Sequence, residues 1–265
     1  MPRGSQVQRL LWLLLLVKSS SWALCLSRSA LSQRILPRAS HSSINSSSSN
    51  RGKSNLFSAT TTTMSIQEDF EAYNGGDYKV YVGRGMERFR NSESLASVHD
   101  FDRAIQLQPR LAPYMWQRGI SLYYADQFEE GSKQFRKDVA LNPNDTEEAI
   151  WTFLCEARMP SIGFATAQQR LVKISNERRP YMQEAYALFK GESAEGDLAK
   201  QMEVASGTSG APYFYANLYL GLYAEAKGDD ILARKYISAA VRSSYAKSQD
   251  YMCDVARVHQ KVRGW

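Results

Sequence analysis

Beyond residue 77 the chain alternates amphipathic stretches with turn signals. From Tyr78 an apolar face carried by Val82, Met86 and Phe89 recurs every three or four positions, the period of a helix, until Asn91-Ser92 stops it. A second stretch runs to Pro109. A third opens at Ala112-Pro113 and carries Trp116, Gly119, Ile120, Tyr123 and Tyr124, and a fourth, with Phe128, Phe135 and Val139, closes at Asn142-Pro143. Proline suits the first turn of a helix, where its missing N–H is no loss, and it cannot continue a helix at the far end. Asp145-Thr146-Glu147-Glu148 reads as a strong helix start, a side-chain cap followed by acids that favour the exposed amides. It predicts a helix over 147–158, broken by Met159-Pro160, and a second amphipathic helix over 164–176. Residues 181–205 predict a weaker helical pair with Ala187 and Ala199 at small positions, and Ser206 to Gly210 a loop. Tyr213 to Ala226, a turn at Gly228-Asp229-Asp230 and Ile231 to Ser243 give another pair, and 248–263 a last helix. No strand pattern is evident, so the body is expected to be all-α.

A recurrence is superimposed on these helices. Gly85, Phe101 and Pro109 stand thirty-four residues before Gly119, Phe135 and Pro143, and Gly221 lies three further periods beyond Gly119. A small residue where two helices touch, an aromatic on the second helix and a closing proline are what a helix–turn–helix unit of this length requires. The residues expected to hold the units together are Gly85, Phe101, Ala104, Pro109, Gly119, Phe135, Pro143, Gly221, Ala233 and Ala240. The period divides 78–265 into hairpins at 78–111 and 112–145, an irregular hairpin at 146–179 with Phe153 where glycine is due, a degenerate one at 180–213, a regular one at 214–247 and a capping helix at 248–265. A stacked unit cannot bury its apolar face alone, so such an array needs a cap.

The thirty-four-residue unit with these residues resembles the tetratricopeptide repeat family. That resemblance implies an α-solenoid of about five helical hairpins with a C-terminal capping helix, and a protein-binding role. The stretch Asp145 to His259, with Trp151 to Ala157 and Phe214 to Asp229 as its most characteristic runs, is similar to the bacterial new lipoprotein I subgroup. This second resemblance implies an adaptor that scaffolds other proteins without catalysing anything, a carboxyl-terminal processing protease among them. The lipid-anchoring leader of that subgroup is not matched.

Register assigns Val82, Met86 and Phe89, then Trp116, Ile120, Tyr123 and Tyr124, then Leu218, Leu222 and Glu225 to the concave face. An aromatic groove of this kind suits an extended or helical peptide with apolar anchors. Plain packing between helices accounts for Trp116 and Tyr123 equally well, and better for Leu218. A clamp for a terminal carboxylate needs Lys, Asn and Arg in the groove, where this chain has Val82, Met86, Pro113 and Gln117. Enzymatic chemistry finds little support: His99 and His259 stand alone on separate helices, and no Cys-x-x-Cys pair or phosphate-binding glycine loop follows a strand. Gly83 and Gly85 read as contact positions inside a helix. Arg178-Arg179 reads as a solvated loop in preference to a site for an acidic partner. Cys155 and Cys253, the cysteines outside the leader, do not make a disulfide framework, and Cys155 reads as a small buried hydrophobe. No cofactor or metal is expected. A homodimer and a peripheral subunit of an organellar membrane complex stay open beside the adaptor reading.

Charge changes the picture only at the N-terminus. The net +6 arises because residues 1–67 hold eight basic residues and no acid, while the remainder has 25 basic and 27 acidic residues, a net of −2. Nucleic-acid binding is therefore not expected of the body. Leu10 to Val17 is an apolar block of eight, ended by Lys18, far short of the roughly twenty residues a membrane-spanning helix needs. It fits a signal peptide over 1–25, cleaved after Cys25, followed by a Ser-, Thr- and Arg-rich transit-type segment over 26–67 and a linker over 68–77. Signal plus transit peptide resembles the bipartite leader of algae with secondary plastids, although Leu26 stands where that leader has an aromatic. A plastid destination is expected, with the secretory pathway and the mitochondrion as alternatives. Initiation at Met64 would bypass the leader.

Overall fold

Four helices begin behind an aspartate, and in each the reason is local. The Asp77 carboxylate accepts the Lys79 N–H at 3.0 Å, Asp145 accepts those of Glu147 and Glu148 at 3.1 and 3.3 Å, Asp229 that of Leu232 at 2.9 Å, and Asp250 that of Met252 at 3.0 Å. Each bond satisfies an amide that the helix itself leaves unpaired. The computed structural model describes residues 76–204 and 210–265. The signal, transit and most of the linker segments expected over 1–77, and most of the loop 206–210, lie outside the described residues.

All secondary structure among the described residues is helical. The first hairpin is α1 (Tyr78–Arg90) and α2 (Ser94–Leu107), and the second is α3 (Trp116–Tyr124) and α4 (Phe128–Leu141). Then follow α5 (Thr146–Ala157), α6 (Gly163–Gln169), α7 (Pro180–Lys190), α8 (Glu195–Val204), α9 (Ala211–Ala226), α10 (Asp230–Arg242) and α11 (Tyr251–Val262). Residues 77–265 fold as one compact unit in which most helices pack on their neighbours in sequence. No helix among the described residues is long and apolar enough to cross a membrane.

The thirty-four-residue spacing has geometric content. Ser92, Asp126 and Gly228 share one phase of the period and all take left-handed backbone, with φ of 69°, 57° and 84°. The residue after each donates its N–H five positions back, Glu93 to Arg88, Gln127 to Leu122 and Asp229 to Ala224, all at 2.9 Å. This is the helix ending that a left-handed residue permits. Inside the hairpins, a methyl group on Gly85 would lie 3.0 Å from the Phe101 ring, one on Gly119 2.6 Å from the Phe135 ring, and one on Gly221 2.7 Å from Ile237 Cγ1. The small positions are therefore where paired helices touch. Ala104, Ala233 and Ala240 are fully buried, Pro109 opens a short 3-10 turn (Pro109–Tyr114), and Pro143 lies on the exposed link between α4 and α5.

Some local expectations are corrected. Gly83 is not a contact position: nothing lies within 4 Å of where its Cβ would stand. The helix expected from Pro113 begins at Trp116: residues 109–114 turn as a 3-10 segment, and Met115, with φ −96° and ψ 53°, separates that segment from the α-helix. The helix expected over 164–176 stops at Gln169. From there the chain runs without helix to Arg179, with the Ser175 N–H donating to the Pro143 carbonyl at 2.8 Å and extended backbone at Arg179 ahead of Pro180.

Two helices are buried all round, α5 from Thr146 to Glu156 and α9 from Phe214 to Glu225, as central helices must be. One hydrophobic core joins them to α3, α7, α10 and α11, and a smaller cluster of Phe101, Leu111 and Met115 fills the first hairpin. The last helix, α11, packs on α10 and also reaches α1. Tyr251 stacks on Phe89 with ring centroids 5.5 Å apart, Asp254 accepts from Arg90 at 2.8 Å, and Lys261 donates to the Asn91 carbonyl at 3.1 Å.

Candidate functional site

The aromatic face of the first two hairpins meets α11. Tyr251 stands edge-on to Trp116 with centroids 5.1 Å apart, and Tyr124 packs against Phe89 and the His259 ring. Of the seven residues assigned to a partner-binding groove, Phe89, Ile120, Tyr123 and Tyr124 are buried: Phe89 and Tyr124 against α11, Tyr123 against Phe128 and Trp151, and Ile120 within the main core. All four are closed to an external peptide in this conformation, Phe89 and Tyr124 by the chain's own C-terminal helix and the others by neighbouring helices. Val82, Met86 and Trp116 remain half-buried. Val82 and Met86 rest on the Phe101, Leu111 and Met115 cluster, and Trp116 on the main core. Leu218 and Leu222 are fully buried on α9.

Behind this face lies a polar cluster that the sequence does not advertise. His259 on α11 is fully buried, and its Nδ1 lies 2.9 Å from the Tyr124 hydroxyl. Its Nε2 has no hydrogen-bond partner and faces Oε2 of Glu225 on α9 at 3.8 Å. The same carboxylate accepts from the Tyr123 hydroxyl at 3.1 Å and from the Arg263 guanidinium, with Arg158 3.6 Å away. With Nε2 protonated toward the carboxylate, Nδ1 is free to accept from Tyr124. Burial pushes the His259 imidazole down to about 4, against the pull of Glu225, because a cation there loses its water. Burial alone would raise the Glu225 carboxyl, but His259 when protonated, and Arg263 and Arg158 throughout, outweigh burial and lower it. Burial also raises Tyr124 well above the ordinary phenol value. Arg158, Glu225, Asp230 and Arg263 line a shallow solvent-facing depression outside the cluster.

The other buried ionisable groups are largely paired within the fold. Glu156 accepts from Ser132 and Arg136, each at 2.9 Å. Arg179, expected in a solvated loop, is half-buried and bridges Glu147 and Glu177 at 2.8 Å each, so its acidic partners are intramolecular. Arg178, next to it, is the one exposed to solvent. Asp138 is the exception. It has Gln134 as hydrogen-bond partner on one oxygen and none on the other, and burial pushes it up to about 7. Cys155 and Cys253 are free and buried, and burial raises both thiols. His99 is exposed on α2, away from His259. Among the described residues, no three His, Cys, Asp or Glu side chains gather as a metal site.

Compared with protein-family models and with curated proteins, the chain matches none. His259 had one legible signal, since it falls on the stripe of Tyr251, Met252, Val255 and Val258 that α11 buries. Arg158 and Arg263 had none, as each lies just past a helix end and takes its role from Glu225, far away in sequence.

Proposed function

We propose that this protein is a non-catalytic interaction scaffold of the tetratricopeptide type, an α-solenoid closed by its own C-terminal helix, that docks a protein partner. The observation that carries the reading is that Val82, Met86 and Trp116 of the assigned face stay partly exposed while Phe89, Ile120, Tyr123 and Tyr124 are buried. Tryptophan is enriched among the residues that carry most of the binding energy at protein interfaces. The non-catalytic part is supported by the chemistry of the buried groups. His259 is sealed from solvent, and Glu147 and Glu156 are engaged by arginines that hold the fold together.

The partner class proposed is a protease or assembly factor that the scaffold presents to clients, a carboxyl-terminal processing protease being the specific candidate. The working compartment proposed is a plastid, with the secretory pathway or mitochondrion as alternatives. A second reading, a peripheral structural subunit of an organellar membrane complex, is favoured by one observation: α11 packs over Phe89 and Tyr124 of the aromatic face, as suits a subunit that docks by its outer surface. Native co-purification with quantified stoichiometry separates the two. An adaptor is recovered below one copy per complex and a subunit at unity. Co-purification with neither, together with turnover of a substrate by the pure chain, refutes both.

A further inference from the structure

His259 and Arg263 belong to α11 and the residues just after it, whereas, apart from the Trp265 ring 5.2 Å from that of His259, the groups in the cluster belong to the rest of the fold: Tyr123 and Tyr124 at the end of α3, Glu225 on α9, Arg158 just after α5. α10 meets α11 through the uncharged pair Ser238 and Gln260, and α1 faces Tyr124 with the Phe89 ring. Asp230 stands at the outer mouth, lining the depression with Arg158 and Arg263. The cluster therefore holds one buried carboxylate, already shared by two guanidiniums, and one neutral imidazole whose Nε2 is unpartnered. A proton added to that imidazole, itself fully buried, would put a third cation on a single anion. The charge can reach solvent most simply if the element carrying both His259 and Arg263 lifts away.

We propose that Tyr124, His259, Glu225, Arg158 and Arg263 form an acid-sensitive latch that holds α11 on α3 and α9, and that protonating His259 frees this helix while the central helices stay folded. Release uncovers Phe89 and Tyr124, against which α11 packs through Tyr251 and His259. The proposal stands on the contacts of α11 and does not depend on the scaffold reading above. The direction follows from linkage. A base held at about 4 while docked and near its ordinary 6.5 when released binds more protons in the released state, so docking weakens as pH falls from about 6.5 toward 4. Those two values correspond to an opening of α11 that rises about twenty-fold between pH 7 and pH 5.

Hydrogen exchange of the full chain, resolved by peptide and corrected for intrinsic rates, tests this at pH 7, 6 and 5. The expected result is faster opening of α11 at low pH, unchanged protection of α5, and a flat pH response of α11 in His259→Gln. Opening of α11 and α5 together, or an unaltered response in the variant, would overturn the proposal. Should His259→Gln not fold, His259→Phe keeps the ring volume. Titration of the His259 ring by NMR in the unaltered chain serves in addition, since a ring that titrates at a pH where α11 does not open also overturns it.

Discussion

The second and third hairpins start from the same phase of the period and resolve it in opposite ways. In the second, Gly119 lets α3 and α4 close until the Phe135 ring sits where a side chain would begin. In the third, Phe153 stands at the glycine phase and Gln169, exposed at the end of the shortened α6, stands at the phase of Phe135. The bulk has changed sides. The Phe153 ring packs edge-on against Phe164 and Phe189, with centroids 5.2 and 5.1 Å away, and so recruits α7 into a space that a full second helix would fill. What the difference teaches is that the period specifies a contact and not a residue. When the small–large pair is lost, the partner helix shortens and a neighbour supplies the packing.

The sharpest way to break this comparison is Phe153→Ala, which empties a buried site lined by two rings and is expected to cost about 3–5 kcal/mol in denaturant unfolding. A cost under ~1 kcal/mol would mean the third hairpin does not depend on that ring. Gly119→Leu tests the other side of the pair. It drives a side chain into the Phe135 ring and is expected to cost about 1–3 kcal/mol, with Gly221→Leu similar against Ile237. Gly119→Leu with an unshifted midpoint would refute close helix contact in the second hairpin.

Buried acids sharpen the contrast further. In the third hairpin Glu147 and Glu156 have arginine partners, whereas Asp138 in the second has only Gln134. Burial raises Asp138 to about 7, from an ordinary value near 3.8, so the stability it contributes is full below the lower value and is lost as pH rises through the upper one. Asp138→Asn is therefore expected to stabilise the protein at pH 8 by on the order of 1 kcal/mol, with the gain fading toward pH 5. A gain that is the same at both pH values would assign the effect to something other than ionisation. The smallest expected effect comes from Gly83, in the first hairpin, which has open space where Gly85 has a ring. Gly83→Ala should raise stability by about 0.5–1 kcal/mol through helix propensity alone, and thermal melts beside Gly85→Ala, expected to lower it, check both.

The regular hairpins were legible because their determinants are local. Asn91-Ser92 and Gly228-Asp229 end and begin helices through the residues themselves, and the glycine phase repeats in plain view. The end of α6 was not legible, since the residues after Gln169 keep an apolar period and the bond that holds them, Ser175 to the Pro143 carbonyl, spans two segments. The aromatic positions of the assigned face were legible in the sequence and their exposure was not. Register assigns Phe89, Ile120, Tyr123 and Tyr124 to a partner-binding concave face, and cannot show that they are buried, Phe89 and Tyr124 against a helix over a hundred residues later in the chain. Pairings such as Tyr124 with His259 and Arg158 with Glu225 join helices far apart in sequence, which no window of sequence contains.

The central claim is that the strip of Val82, Met86 and Trp116 binds a protein partner. Its most direct test is the dissociation constant of a co-purified partner for the unaltered chain and for Trp116→Ala and Val82→Lys, each first shown to be folded by circular dichroism. A tryptophan anchor at the centre of an interface carries about 2 kcal/mol or more, so each variant is expected to bind at least about tenfold more weakly with its helix content unchanged. Folded variants that bind as tightly as the unaltered chain would contradict the account and move the docking surface elsewhere on the molecule.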